Sequence, residues 1–314
     1  MCGITGILHL NQKPVSFPIL KEMTDIIKHR GPDGEGHWIE KNVGLGHRRL
    51  AIIDLTEAGH QPMQTENGNL VVSYNGEVYN FKNIKLELEA KGYRFHSDTD
   101  SEVVLKAFQE WGRECVGKFN GMFAFAIWNK RKKELFLARD RYGIKPLYYY
   151  FKNGIFLFSS EIKSFLKYPK FQVNVNIKAL NEYFSFQNIF SDLTLFENVK
   201  MLPAGHTMSI SENRKKIEMS KYWDFKFHDI EYFDNENIYL NEIASLFENA
   251  VNKQLISDVE IGSYLSGGID SGSISCLAAE NFRNLKTFTC GFDLSSASGL
   301  ELGFDERRKA EFLS

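Results

Sequence analysis

The sequence predicts an α+β layered domain over residues 2–210, a linker over 211–237, and a partial α/β domain with parallel strands over 238–314. Three features lead there. Strand-like runs crowd together between Phe123 and Phe158. Two helical stripes of apolar residues lie just before them. After Val259 a strand, a glycine turn, a helix and a second strand follow in order, which is a βαβ unit and implies parallel strands.

Taken in order, NLVVSY (69–74) reads as a strand stopped by a turn at Asn75-Gly76. Phe81, Ile84 and Leu88 have helical spacing, with Gly92 as the C-terminal stop. Val104, Phe108, Trp111 and Cys115 make a second helical stripe, for which Asp100 is a candidate N-cap. FAFAIW (123–128), ELFLA (134–138), LYYYF (147–151) and GIFLF (154–158) are separated by turn residues and read as a meander. Many antiparallel strands with a few amphipathic helices indicate packed layers. From Ser211 to Asn237 the pattern dissolves into polar and charged residues, hence the linker. Ile243, Leu246, Phe247, Ala250 and Val251 then share a helical face. VEIGSYL (259–265) and KTFTCGF (286–292) are the strands of the βαβ unit, its helix starting near Ser271, and FDERRKAEFLS (304–314) is helical in character. So few strands fall short of a doubly wound domain.

Composition narrows the function classes. The chain has 314 residues, 43% hydrophobic and 25% charged, with a net charge of −2. That balance offers no general attraction for nucleic acid or anionic membranes. Four cysteines (Cys2, Cys115, Cys276, Cys290) form no CxxC pair, and the eight histidines form no HExxH. A reducing compartment fits better than a disulfide framework or zinc site. The start, MCGITGILHL, lacks the basic region and long apolar run of a signal peptide. No stretch reaches the roughly 18 apolar residues of a membrane span. The expectation is a cytoplasmic protein.

Cys2 stands beside the chain start. Once Met1 is removed, which a small second residue permits, its own α-amino group can serve as general base. That group has an ordinary pKa of about 7.7–8.0. A thiol near 8.5 is partly ionised at neutral pH and intrinsically nucleophilic (values approximate). Alone, Cys2 reads as readily as a buried structural cysteine.

Its companions extend the reading. MCGITGI is followed by HRGPDG (29–34), GHRRLAIIDL (46–55), YNGEVYN (74–80) and SDTDSEVVL (97–105). DRYGIKPLYY (140–149), FSSEIKSFL (158–166) and LPAGH (202–206) come next. This ordered series resembles the glutaminase domain of the asparagine synthetases, class II amidotransferases with an N-terminal nucleophile, over about residues 1–210. The resemblance implies a four-layer αββα N-terminal-nucleophile hydrolase fold and a set of roles. Cys2 matches the nucleophile that forms a γ-glutamyl thioester and expels ammonia. Asn75 and Gly76 match the oxyanion hole, where a single donor is worth about 10²–10³ in rate. Arg49 matches the clamp on the glutamine α-carboxylate, a task suited to a guanidinium fork. Glu77 and Asp100 match the receivers of the α-ammonium end, and the backbone from Leu50 to Ile53 the pocket wall. His47, next to these in sequence, reads as structural.

Ser266-Gly267-Gly268-Ile269-Asp270-Ser271 follows a predicted strand and opens a predicted helix. Glycines there let backbone N–H groups approach phosphate oxygens, aided by the helix N-terminus. SGGIDS resembles the pyrophosphate loop of ATP pyrophosphatases and is not a Walker A, because the GK[ST] ending is missing. By the same resemblance Leu265 and Cys290 line the adenine and ribose site. Ser266, Gly267, Gly268 and Ser271 hold phosphates, and Asp270 helps bind Mg²⁺. Cys290 reads equally well as an ordinary strand residue.

The family expectation is a ligase that uses glutamine, aspartate and ATP and dimerises. The sequence departs from it in one respect. Those enzymes run to roughly twice this length, and their second nucleotide motif, of type SGEGxDE, is missing here. The second domain therefore reads as truncated. Two other readings stay open: an amidotransferase with a different ammonia acceptor, such as a sugar carboxylate or a peptide, and a truncated product without synthetic activity.

Overall fold

The computed structural model describes residues 1–213, 216–227, 235–291, 293, 295, 299 and 301–314, the last range with backbone only for 301 and 302. The chain forms two compact units, Met1–Lys226 and Phe227–Ser314. Among the described residues no helix is long and apolar enough to cross a membrane.

The first unit begins with β1 (Gly3–His9), α1 (Phe17–Asp25), β2 (Gly34–Glu40), β3 (Val43–Arg49), β4 (Met63–Gln64) and β5 (Leu70–Val78). Next come α2 (Phe81–Ala90), α3 (Asp100–Trp111), the short α4 (Cys115–Lys118), β6 (Gly121–Asn129), β7 (Glu134–Arg139), β8 (Tyr148–Lys152) and β9 (Ile155–Ser159). It ends with α5 (Ile177–Phe186), β10 (Val199–Met201), β11 (His206–Ser211) and β12 (Lys216–Lys221).

These strands make two antiparallel sheets, ordered β10-β8-β9-β1-β3-β2 and β12-β11-β7-β6-β5-β4. Strand alternation sorts the side chains into layers. Ile4 and Leu8 of β1 and Phe156 and Phe158 of β9 join Val71, Ala124, Ala126, Leu137 and Ile210 of the other sheet in one buried cluster. Ile7 and Leu157, one residue out of phase, pack instead with Leu20, Met23 and Phe165 in a second cluster. Helix α1 thus covers one sheet and α3 the other, and the unit is an αββα sandwich. Burying a side chain of this size stabilises by about 1.5–3 kcal/mol relative to exposure.

The expected meander is divided. β6 pairs with β7 and β8 with β9, but the two hairpins belong to different sheets. The DRYGIKP segment between β7 and β8 carries the chain from one layer to the other. The turn expected at Asn75-Gly76 is also absent, because β5 runs straight through both residues, pairing Asn75 with Ala124 and Gly76 with Phe123. Glycine is required there for close approach: a Cβ on Gly76 would lie 2.5 Å from the Met122 carbonyl. Gly92 does take a positive φ, of 93°, just past α2, as a helix stop should.

Part of the predicted linker is strand. Lys216–Lys221 forms β12, paired with β11 in the register His206↔Lys221 to Ser211↔Lys216. It is an edge strand rich in Lys and Glu, a composition that guards an edge against further pairing and reads as linker in sequence. Residues 214–215 and 228–234 of that linker lie outside the described residues.

The second unit contains α6 (Glu236–Gln254), β13 (Gly262–Tyr264), α7 (Ile269–Ala279), β14 (Lys286–Phe288) and α8 (Arg307–Leu313). β13 and β14 pair in parallel, from Gly262↔Lys286 to Tyr264↔Phe288, around the crossover helix α7. Both strands are shorter than expected, and Phe292 at the end of the second lies outside the described residues. Helix α7 begins at Ile269, ahead of Ser271, because Gly268 is its N-cap. Of the apolar face predicted for α6, Val251 is buried whereas Ile243 and Leu246 are exposed.

Candidate active site

Cys2 immediately precedes β1, so the sheet fixes the position of its thiol. Its Sγ accepts a hydrogen bond from the Leu50 N–H at 3.4 Å, and its carbonyl accepts from Arg30 Nε at 2.9 Å. Burial pushes the thiol pKa up, while the Leu50 N–H, the amino terminus and Arg49 pull it down. The amine of Met1, the residue ahead of Cys2, moves the other way: burial lowers its pKa, the Cys2 charge opposes this, and the Lys145 and Arg30 cations add to the lowering.

A cavity opens at the thiol. All eight residues predicted for the glutaminase site line it: Cys2, Arg49, Leu50, Ile53, Asn75, Gly76, Glu77 and Asp100. Met1, Ile52, Gly59, Gln61, Tyr74, Thr99, Ser101 and Lys145 complete the wall.

Asn75 and Gly76, the expected oxyanion donors, lie within β5 and not in a turn. Asn75 shares the face of Val71 and Ser73, and Ser73 Oγ donates to the Gly46 carbonyl of the opposite sheet at 3.1 Å. Asn75 therefore looks across the sandwich toward the Cys2 end of β1. Its Nδ2 is buried and has no hydrogen-bond partner among the described residues. A buried orphan donor costs about 1–3 kcal/mol, which marks it as a group kept for a ligand. Opposite Gly76, Phe123 spends both backbone groups on Asp140: its N–H donates to Oδ2 at 3.2 Å and its carbonyl accepts from the Asp140 N–H at 2.8 Å. The Gly76–Phe123 pair is thus non-hydrogen-bonded, and the Gly76 N–H points to the far edge of β5. On that edge β4 reaches only Val71 and Val72. The neighbouring donors of the same edge are already used, the Tyr74 N–H on Gln61 Oε1 at 2.7 Å and the Val78 N–H on Asp100 Oδ2 at 2.9 Å.

Arg49 ends β3. Its guanidinium donates to the carbonyls of Thr56 (2.7 Å), Ile53 (3.5 Å) and Asp54. It therefore also shapes the loop that carries Leu50 and Ile53. Gly59 lies against it so closely that any Cβ there would collide with the guanidinium.

Asp100 is the first helical residue of α3 rather than its cap. Thr99 takes the cap position, with its Oγ1 accepting from the Glu102 N–H at 3.2 Å. Two charges in the cavity are carboxylates in an apolar setting. Burial pushes Asp100 up to about 6, against the pull of the Tyr74 hydroxyl and the Val78 N–H. Burial also raises Glu77, helped by the Asp100 charge and opposed by Lys145 and the amino terminus. His47 is fully buried, donates Nε2–H to the Tyr74 carbonyl at 3.0 Å, and does not line the cavity. Burial holds its pKa near 3, so the ring is neutral. Sequence reasoning assigned no role to Arg30, Tyr74, Gln61 or Lys145. Arg30 and Lys145 stand in quoted motifs, HRGPDG and DRYGIKPLYY, but a solvated surface charge is the usual fate of such residues.

In the second unit the SGGIDS loop joins β13 to α7 at the carboxyl end of a parallel strand. Ser266 and Ser271 are tied by their hydroxyls at 2.8 Å, and Gly268 N–H donates to Ser266 Oγ at 3.2 Å. No side chain caps the first turn of α7, where Asp270 is exposed. Leu265 is buried, with its N–H on the Phe288 carbonyl at 2.9 Å, and Cys290 is exposed.

Known proteins match this chain over both of its units. Residues 1–223 match the family model of the glutamine amidotransferase domain, and residues 242–314 that of asparagine synthase. Asparagine synthetase [glutamine-hydrolyzing] 1 of Bacillus subtilis is 38% identical over 305 residues, covering 96% of this chain and 48% of that protein. A putative asparagine synthetase of Methanocaldococcus jannaschii is 36% identical over 93% of this chain and 60% of its own length. Amidase chry2 of Gibberella zeae is 33% identical over all of this chain and 50% of that protein. The chain thus spans about half the length of most of these relatives. Among solved structures, glutamine phosphoribosylpyrophosphate amidotransferase from B. subtilis aligns with a TM-score of 0.53 at 16% identity, over 96% of this chain and 70% of that one, which supports the fold. The chain belongs to the glutamine amidotransferase family and corresponds to the N-terminal part of the glutamine-hydrolysing asparagine synthetases.

Proposed function

We propose that this protein hydrolyses glutamine at Cys2 and that the full-length protein delivers the ammonia to aspartate activated as its adenylate. After removal of Met1, the Cys2 amine takes the thiol proton and the sulfur attacks the glutamine side-chain carbonyl. Asn75 Nδ2–H and Gly76 N–H receive the oxyanion. Arg49 holds the α-carboxylate, and Asp100 with Glu77 holds the α-ammonium. The protonated amine then gives its proton to the leaving nitrogen, which departs as ammonia. Water attacks the resulting γ-glutamyl thioester and releases glutamate. The observation that carries this reading is the buried Asn75 Nδ2, without a hydrogen-bond partner among the described residues, in the cavity that holds the thiol.

ATP and Mg²⁺ fit the SGGIDS loop. An uncapped helix N-terminus, two hydroxyls and close-set glycines suit phosphate oxygens, and Mg²⁺ needs only one or two carboxylates beside phosphate, a place Asp270 would take. The bound nucleotide would supply the adenylyl group, and Leu265 and Cys290 would border its base and ribose. Four free cysteines suit a reducing cytosol.

In the full-length protein, aspartate-dependent pyrophosphate release should accompany asparagine formation. Cys2→Ala should abolish asparagine formation with glutamine but not with free ammonia. Asparagine formation that ignores this substitution overturns the assignment. The similarity to a protein named an amidase favours a second reading, an acceptor other than aspartate. It predicts pyrophosphate release that aspartate does not stimulate.

A further inference from the structure

Lys145 is a buried charge that the steps above leave unused. It is 4% exposed, and lysine is almost never this buried unless paired. The segment after β7 is built to hold it. Asp140, fully buried, accepts from the N–H groups of Tyr142 (3.1 Å), Ile144 (2.9 Å) and Lys145 (3.0 Å), besides that of Phe123. The Lys145 carbonyl accepts from Arg139 Nε at 2.8 Å. So much backbone anchoring fixes where the side chain starts, and it ends in the cavity of Cys2, Arg49, Glu77 and Asp100. Its ammonium makes no hydrogen bond among the described residues.

A charge inventory gives it a task. The cavity walls carry two side-chain cations, Arg49 and Lys145, and two carboxylates, Glu77 and Asp100. A zwitterionic amino acid adds one charge of each sign. Arg49 answers its carboxylate and Asp100 its ammonium, which leaves Glu77 and Lys145 as each other's complement. Two carboxylates sharing a dry site repel, and one takes up a proton unless a cation intervenes.

We propose that Lys145 is a positioning residue of the glutamine site, the fixed counter-ion that keeps Glu77 ionised beside Asp100. The proposal rests on the reading of the cavity as a glutamine site. The groups facing Lys145 are Glu77 from β5, Cys2 and the amino terminus ahead of β1, Arg30 from the turn after α1, and Asp140 at the end of β7. Both Asp140 oxygens are occupied by backbone N–H groups, and the thiol is neutral before reaction, so Glu77 is the carboxylate left to pair.

The test is glutamate release from glutamine between pH 5.5 and 9 in wild type, Lys145→Met, Lys145→Arg, Glu77→Gln and the Lys145→Met/Glu77→Gln double variant. Lys145→Met should raise the glutamine KM at the acid end of that range, by up to about tenfold, the limit set by a one-unit carboxyl shift. The rise should shrink at pH 8.5, with kcat within about threefold, and Lys145→Arg should restore the profile. In the Glu77→Gln background Lys145→Met should shift nothing further. An unchanged acid limb in Lys145→Met, or the same shift without Glu77, overturns the proposal. Acetylation by acetic anhydride, located by mass spectrometry, reads the pair without Lys145→Met and without activity. Loss of the Glu77 charge should make Lys145 acetylate several-fold faster at pH 7.5, and an unchanged rate overturns the pairing. Glutamine hydrolysis that persists in Cys2→Ala refutes the glutaminase reading instead, and acetylation still decides on the pair.

Discussion

The hydroxyl of Tyr74, midway along a strand, donates to Asp100 Oδ2 at 2.5 Å across 26 residues of sequence. The bond is fully buried and couples β5, which carries Asn75 and Gly76, to α3, which carries Asp100. Asp100, pushed up to about 6, is ionised only above that pH, so affinity for glutamine should fall as pH drops through 6. Tyr74→Phe removes the side-chain bond among those that restrain the shift, and the carboxyl should rise further. The KM for glutamine at pH 6.5 should increase about three- to fourfold, because a bond to a charged group at the lower end of about 1.5–3 kcal/mol lifts the carboxyl by about one unit, and little at pH 8.5. A KM-against-pH curve that matches wild type would show that Tyr74 does not govern Asp100.

Asn75→Ala separates catalysis from stability. The Asn75 Nδ2 has no hydrogen-bond partner among the described residues, so its loss leaves no orphaned acceptor among them. The midpoint of urea unfolding should stay close to wild type. The kcat for glutamine hydrolysis should drop by about 10²–10³, as for other single oxyanion donors, with KM nearly constant. Loss of stability with kcat intact would make Asn75 a packing residue.

His47 gives a prediction about acid stability. Its folded pKa near 3 lies below the ordinary 6.5. Between those values the unfolded chain binds a proton that the folded one refuses, so His47 costs stability as pH falls below 6.5. Asp100 acts with the opposite sign between 3.8 and about 6, where the folded state holds the proton. The two oppose each other in wild type. His47→Gln removes one side and should shift the difference in unfolding free energy between pH 7 and pH 5 in favour of pH 5, by up to about 2 kcal/mol for one proton over 1.5 pH units. Chemical denaturation at both pH values checks it. The same difference in both proteins would mean that His47 is not held neutral.

Legibility in the sequence followed burial. FAFAIW, ELFLA and GIFLF are buried strand for strand, and their aromatic and branched residues announce it. Where local chemistry and tertiary context disagree, the local signal misleads. Asn75-Gly76 has the composition of a turn, yet it is strand, because glycine answers the close approach of β6. β12 reads as linker because an edge strand carries charge. The eight residues picked out by motif order in the first unit all line one cavity. Tyr74 and Lys145 line it too and carried no signal in sequence, because a tyrosine hydroxyl and a lysine ammonium draw notice only when the fold buries them.

The central claim is that Cys2 is the nucleophile for glutamine. The most direct measurement is glutamate release from glutamine by the Met1-processed chain, compared with a Cys2→Ala variant shown by circular dichroism to be folded. Wild type should release glutamate and Cys2→Ala should fall to the background of the assay. Equal release by the two proteins would contradict the account.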